Sequence, residues 1–79
     1  MTKNITRLYS EVNLAKLYDS KGYYYLTKDQ IHYLIDVKRS KEGDIINLID
    51  GHSGEFNCEI VEISKKEVRL KINYLLNEL

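Results

Sequence analysis

Residues 32–44 read HYLIDVKRSKEGD, and the parsing of this stretch decides the fold. It opens with a helical period, gathers Lys38, Arg39 and Lys41, and breaks at Gly43-Asp44. Just upstream, TKDQ has the spacing of a capping box, with Thr27 as N-cap and Gln30 three residues on. The reading is a helix over residues 28–39. Ile31, Leu34 and Ile35 fall at i, i+3 and i+4 and face a core. His32, Asp36 and Arg39 fall at i, i+4 and i+7 and share the wetter face. Basic residues in the last turn complement the negative end of the helix dipole.

Everything around this helix reads as strand. SKEGD is a turn, with Gly43 supplying a backbone conformation that other residues resist. DIINLID is a strand, and DGHSG, residues 50–54, is a hairpin loop. EFNCEI alternates, with Phe56, Cys58 and Ile60 inward and Glu55, Asn57 and Glu59 outward. The phase then slips at Val61 and Ile63, which predicts a β-bulge near Ile60 or Val61. After the SKKE turn, Val68, Leu70, Ile72 and Tyr74 are expected inward. A turn centred on Lys65-Lys66 places Glu62 opposite Arg69. Upstream, ITRLY (residues 5–9) alternates, and YYYL (residues 23–26) is rich in strand formers, with at least one tyrosine inward. Residues 10–22 match neither period and read as a loop with room for a helical turn. One helix cannot cover both faces of so many strands. The expected fold is mainly β: a strongly curved sheet or small barrel of five or six strands, its open end plugged by the helix.

The chain has 79 residues, room for one domain. Its 12 Lys and Arg balance 12 Asp and Glu, which argues against indiscriminate nucleic-acid binding driven by excess positive charge. A local basic patch remains compatible with that balance. No apolar run approaches the roughly 18 residues of a membrane span. The N-terminus lacks the apolar core of a signal peptide. The single cysteine, Cys58, suits a reducing cytosol. The expectation is a cytoplasmic protein with no membrane partner.

The ordered series His32, Val37-Lys38-Arg39, Gly43-Asp44, then Asp50-Gly51 and Gly54-Glu55 resembles the N-terminal PUA-like domain of the ribosomal small subunit methyltransferase E family. The family pattern is His-His-Leu-x-x-Val-Leu-Arg, then Gly-Asp, a short strand, and Asp-Gly followed by Gly-Glu. RLY and CEIVEISKKEV are similar to the family's opening strand and later hairpin. Lys38 stands where leucine is usual, and Asp36 brings a negative charge to a face that is more often neutral or basic. The resemblance implies a PUA-like β-barrel over residues 1–74. Residues 75–79 would then begin a linker to a knotted SPOUT domain that is absent here. In the family that domain binds S-adenosylmethionine and methylates uracil N3 of 16S rRNA. By the same resemblance this chain is the RNA-recognition part, with small-subunit ribosomal RNA and the missing methyltransferase domain as partners. It would hold no cofactor and do no chemistry itself. The rival class is a protein-interaction or domain-packing module without autonomous RNA binding.

Candidate RNA contacts are Arg7, Tyr9, His32, Lys38, Arg39 and Lys41. Each has a plainer reading. The three basic residues can simply complement the helix dipole and aid solubility, and Lys38 can snorkel along the rim. His32 can bond to Asp36, and Asp36 can also pair with Arg39. Arg7 with Tyr9 can stack a base and hold its phosphate, or just pack at the rim. Amides of the 50–54 loop could hold a phosphate, but a tight turn is the commoner use. Cys58 reads as a small core residue. Two histidines without further ligands make no metal site. Leu75, Leu76 and Leu79 form an apolar tail expected either to fray or to drive weak self-association.

Overall fold

The structure is a computed structural model that describes residues 5–78. The strands are β1 (Thr6–Tyr9), β2 (Tyr23–Tyr25), β3 (Ile45–Ile49), β4 (Gly54–Ile63) and β5 (Val68–Glu78). Helix α1 (Leu14–Asp19) lies between β1 and β2. Helix α2 (Lys28–Ile31) continues as a π-helical segment, His32–Val37, before β3.

The strands make one sheet in the order β1-β3-β4-β5-β2, with β1 parallel to β3 and the remaining pairs antiparallel. Leu34, Ile46, Leu48, Phe56, Cys58, Ile60, Val68, Leu70 and Ile72 are buried together in one core. Tyr24 is the tyrosine of YYY that turns inward, as alternation requires. Glu62 does face Arg69, at 2.9 Å from Nη2, and the register slips between Ile60 and Glu62 as the phase change in the sequence predicts.

The structure corrects several expectations. Among the described residues the sheet curls but does not close, because β1 and β2 are short edges with no ladder between them. A side chain spans the gap instead. Gln30 Nε2 donates to the Tyr9 carbonyl at 2.8 Å, while Gln30 Oε1 accepts from Tyr24 Oη at 2.9 Å and from the Thr27 amide at 3.0 Å. The capping box is therefore present, and its glutamine also ties one sheet edge to the other.

The helix after Thr27 ends at Val37 rather than 39. The Lys38 amide bonds back to the Tyr33 carbonyl at 3.0 Å, five residues earlier, and Arg39 has left the helix with φ 55°. Arg39 thus does not share a face with His32 and Asp36.

Tyr74 was expected inward and is 50% exposed. Cys58 pairs with Ile72 but Asn57 pairs with Tyr74, so Asn73 is an extra residue that turns Tyr74 to the outer face. Strand β5 continues past Tyr74 and stays paired with β4 as far as Glu78 opposite Gly54. Leu79 lies outside the described residues. A Cβ on Gly54 would meet the Asn77 carbonyl oxygen at 2.0 Å, so this pairing requires glycine there.

Residues 10–22 hold a second helix. Asn13 is its N-cap, its Oδ1 accepting from the Lys16 amide at 3.1 Å, and Leu14 is fully buried. The end of α1 is closed by the Gly22 amide on the Leu17 carbonyl and the Lys21 amide on the Tyr18 carbonyl, both at 3.0 Å. This is the Schellman arrangement, with Lys21 in the left-handed position at φ 57°.

Candidate nucleic-acid interface

The six residues singled out from the sequence do not converge on one site. Lys38 lines a groove of about 490 Å3 with Ile5 and Thr6 at the start of β1, the 40–44 turn, and Ile45 and Ile46 of β3. Arg39 and Lys41 are exposed in the same turn. The turn is held by the Lys41 amide donating to Asp44 Oδ2 at 2.8 Å and by the Ser40 amide on the Leu34 carbonyl at 2.8 Å. Lys38 Nζ lies 5.8 Å from the Tyr33 ring centroid, a cation–π distance.

His32 lies on another surface, in a depression with Lys28, Ile31, Asp36, Lys65 and Lys66. Its Nδ1 is 2.8 Å from Asp36 Oδ2, so the plainer reading of this histidine holds geometrically and Asp36 is engaged with it. Both side chains are well exposed, so the pair adds little to stability.

Arg7 and Tyr9 sit on the outer face of β1 and are exposed. Arg7 Nε donates to Glu55 Oε2 at 2.8 Å, and the same oxygen accepts from Asn47 Nδ2 at 2.8 Å. The hydrogen bond from Arg7 is the chief cause that lowers the Glu55 carboxyl below its usual pKa, with Asn47 assisting. Arg7 is therefore half-committed to a carboxylate. Tyr9 opens a different depression, with Glu11, Val12, Tyr25 and Asp29.

The 50–54 loop closes off one option. Asp50 is fully buried. Its Oδ1 accepts from the amides of His52, Ser53 and Gly54 at 2.9, 2.7 and 3.2 Å, and its Oδ2 from the Leu14 amide at 2.9 Å. Burial opposes ionisation here, but these four donors together hold the carboxyl far below the usual range. The amides that might have cradled a phosphate are already occupied by a carboxylate of the chain. Asp50 also anchors the first residue of α1, a role that only tertiary structure reveals. Burial pushes the Cys58 thiol up to about 12, as befits an inert core residue. Among the described residues no group of three or more His, Cys, Asp or Glu could hold a metal, and no helix is long and apolar enough to cross a membrane.

A basic pocket that the sequence reading missed lies where α1 ends. Tyr18, Lys21, Gly22 and Tyr23 meet Lys71, Ile72 and Asn73 of β5 around about 360 Å3. The signal was divided between two distant segments, and half of it lay in residues that show no clear period.

A model of the family described as the RNA methyltransferase PUA domain matches residues 26–73. The ribosomal RNA small subunit methyltransferase E of Buchnera aphidicola is 32% identical over 69 residues, which cover 87% of this chain and 26% of that protein. The chain thus spans about a quarter of the length of the curated relative it matches. Among solved structures, a putative methyltransferase of Legionella pneumophila with bound SAM superposes with a TM-score of 0.78 at 23% identity, over 94% of this chain and 29% of that one. The ribosomal RNA small subunit methyltransferase E of Neisseria gonorrhoeae, bound to S-adenosyl methionine, superposes with a TM-score of 0.73 at 20% identity, over 90% and 28%. The matched segment runs from Leu26, just after β2, through the capped helix and the meander as far as Asn73 in β5, and the chain belongs to the RNA methyltransferase PUA domain family.

Proposed function

We propose that this chain is the RNA-recognition part of a small-subunit rRNA methyltransferase, docking RNA so that a target uridine reaches a separate SAM-dependent domain. The observation that carries this reading is the basic turn at the end of the π-helical segment. There Lys38 walls a groove beside the start of β1, and Arg39 is exposed in a left-handed conformation. A π-helical turn and a non-glycine residue at positive φ both tend to occur at functional sites. Arg39 suits bidentate phosphate contact. Such contacts position RNA without reading its sequence. A neutral domain needs only modest affinity of its own when a linked domain raises the effective concentration.

The direct test compares Arg39→Ala with Lys65→Ala by fluorescence anisotropy on small-subunit rRNA fragments at fixed salt. Arg39→Ala should weaken binding more, with the circular dichroism spectrum unchanged. Equal losses would mean diffuse attraction and no site at the helix end. A calorimetric titration of this chain with S-adenosylmethionine should show no saturable heat, since the cofactor's place is in the other domain.

A further inference from the structure

We propose a second RNA contact at the end of α1: a pocket that takes one nucleotide of single-stranded RNA, its base against Tyr18 and Tyr23 and its phosphate on Lys21 and Lys71. This rests on the RNA-binding reading above but uses a different surface. The pocket combines the two elements single-strand recognition needs, aromatic faces and cations. No carboxylate is among the residues that line it. Two of the candidate contacts elsewhere are tied to acids, Arg7 to Glu55 and His32 to Asp36. Glu59 is the cross-strand neighbour of Lys71, but no ion pair closes between them among the described residues.

The aromatic walls are fixed in place. The Arg69 guanidinium covers one face of the Tyr23 ring at 4.4 Å and is itself held by Glu62. Tyr18 packs on buried Phe56 with ring centroids 6.0 Å apart, and both tyrosines remain substantially exposed, 39% and 43%. A stacking base would therefore meet walls that are already ordered, at little entropic cost. Asn73 Nδ2 is committed to Asn57 Oδ1 at 2.8 Å, which leaves Asn73 Oδ1 as an acceptor for a base N–H. Lys21 occupies the left-handed position that closes α1, where glycine would be the less strained choice. A cation kept at a strained site beside a pocket is the pattern expected of function.

The test uses the full chain and a short fluorescein-labelled single-stranded RNA at low salt, read by anisotropy. Lys21→Gly with Lys71→Gln should flatten the log–log salt dependence by about 0.7, the contribution of the one phosphate of a single strand that no longer meets a cation. Tyr23→Thr, which keeps strand propensity, should weaken binding about tenfold through weaker stacking. Lys65→Gln with Lys66→Gln removes the same charge from a hairpin and should change the slope far less. Lys21→Gly relieves strain, so a weaker binder cannot be dismissed as a poorly folded one. If the pocket variants bind like the parent while Arg39→Ala does not, the pocket is no RNA site and the helix-end reading stands. If the hairpin pair matches the pocket pair, the attraction is diffuse and the pocket is overturned. If the parent chain binds no RNA even at low salt, both readings fail.

Discussion

The two helices end alike and begin differently. Each passes through a basic residue in the left-handed conformation, Lys21 at φ 57° and Arg39 at φ 55°. Yet the helix leading to Arg39 starts from its own sequence, with Thr27 and Gln30 satisfying each other's backbone within four residues. Helix α1 starts partly from elsewhere: Asn13 caps one amide, but Leu14 depends on Asp50, 36 residues away. Local capping can be read from sequence; borrowed capping cannot. The charge tells the same story. The cluster Lys38-Arg39-Lys41 is conspicuous in the sequence, yet Asp44 lies in its own turn and lines its groove. Lys21 and Lys71 are scattered in the sequence, but the fold brings them to one pocket lined by no acid.

The largest effect should come from severing the borrowed cap. Asp50→Ala strands the Leu14, His52, Ser53 and Gly54 amides, and hydrogen bonds to a charged group contribute about 1.5–3 kcal/mol each, with strong non-additivity. A loss of at least about 3 kcal/mol is expected, a large share of the roughly 4–12 kcal/mol typical of a domain of this size. Urea denaturation followed by circular dichroism measures it. The pH dependence has a definite sign. Asp50 and Glu55 both have folded-state pKa values below the unfolded ones. Their stabilisation is complete above the ordinary carboxylate range, near pH 4–5, and is lost as pH falls below it. Asp50→Asn should flatten that acid limb; an unchanged limb would mean that other carboxylates govern it.

Next in size is Gln30→Ala. It removes the return half of the capping box and the link between the Tyr9 carbonyl and buried Tyr24. The cost should be about 2 kcal/mol, more than the roughly 1 kcal/mol of an ordinary cap deletion. Hydrogen exchange sharpens the comparison. Gln30→Ala should raise exchange at both sheet edges, whereas Asp50→Ala should act first on α1 and the 50–54 loop. Identical patterns would mean that the two helices fold as one unit and do not differ as described.

Much of this fold was legible because its signals are local. The alternation of Phe56, Cys58 and Ile60, the phase slip after Ile60 and the Thr27–Gln30 box each lie within a few residues. What escaped the sequence reading is non-local or depends on register. Tyr74 was misplaced because the extra residue at Asn73 leaves no mark in a run that alternates well. Helix α1 was read only as room for a helical turn, because its single buried residue, Leu14, is satisfied by a loop far along the chain. The spatial grouping of the candidate site residues is likewise non-local. Residue type identified the cations, but only the fold shows that His32, Arg7 and Lys38 face three different surfaces.

The smallest effect tests the likeness of the two ends most directly. A non-glycine residue in the left-handed region costs about 1–2 kcal/mol, and glycine gives back roughly 0.5–1 through the greater freedom of the unfolded chain. Lys21→Gly and Arg39→Gly should therefore each stabilise the domain slightly, by about 0.5 kcal/mol, and by equal amounts if the ends are equivalent. Both should weaken RNA binding, so that stability and function move in opposite directions. The two variants and their combination, compared by thermal unfolding, separate the cases, because sites without shared partners should add. A gain at Lys21 but a loss at Arg39 would show that Arg39 makes contacts stabilising the π-helical turn. Its conformation would then be a structural requirement, and the strain argument for function would apply to the α1 pocket alone.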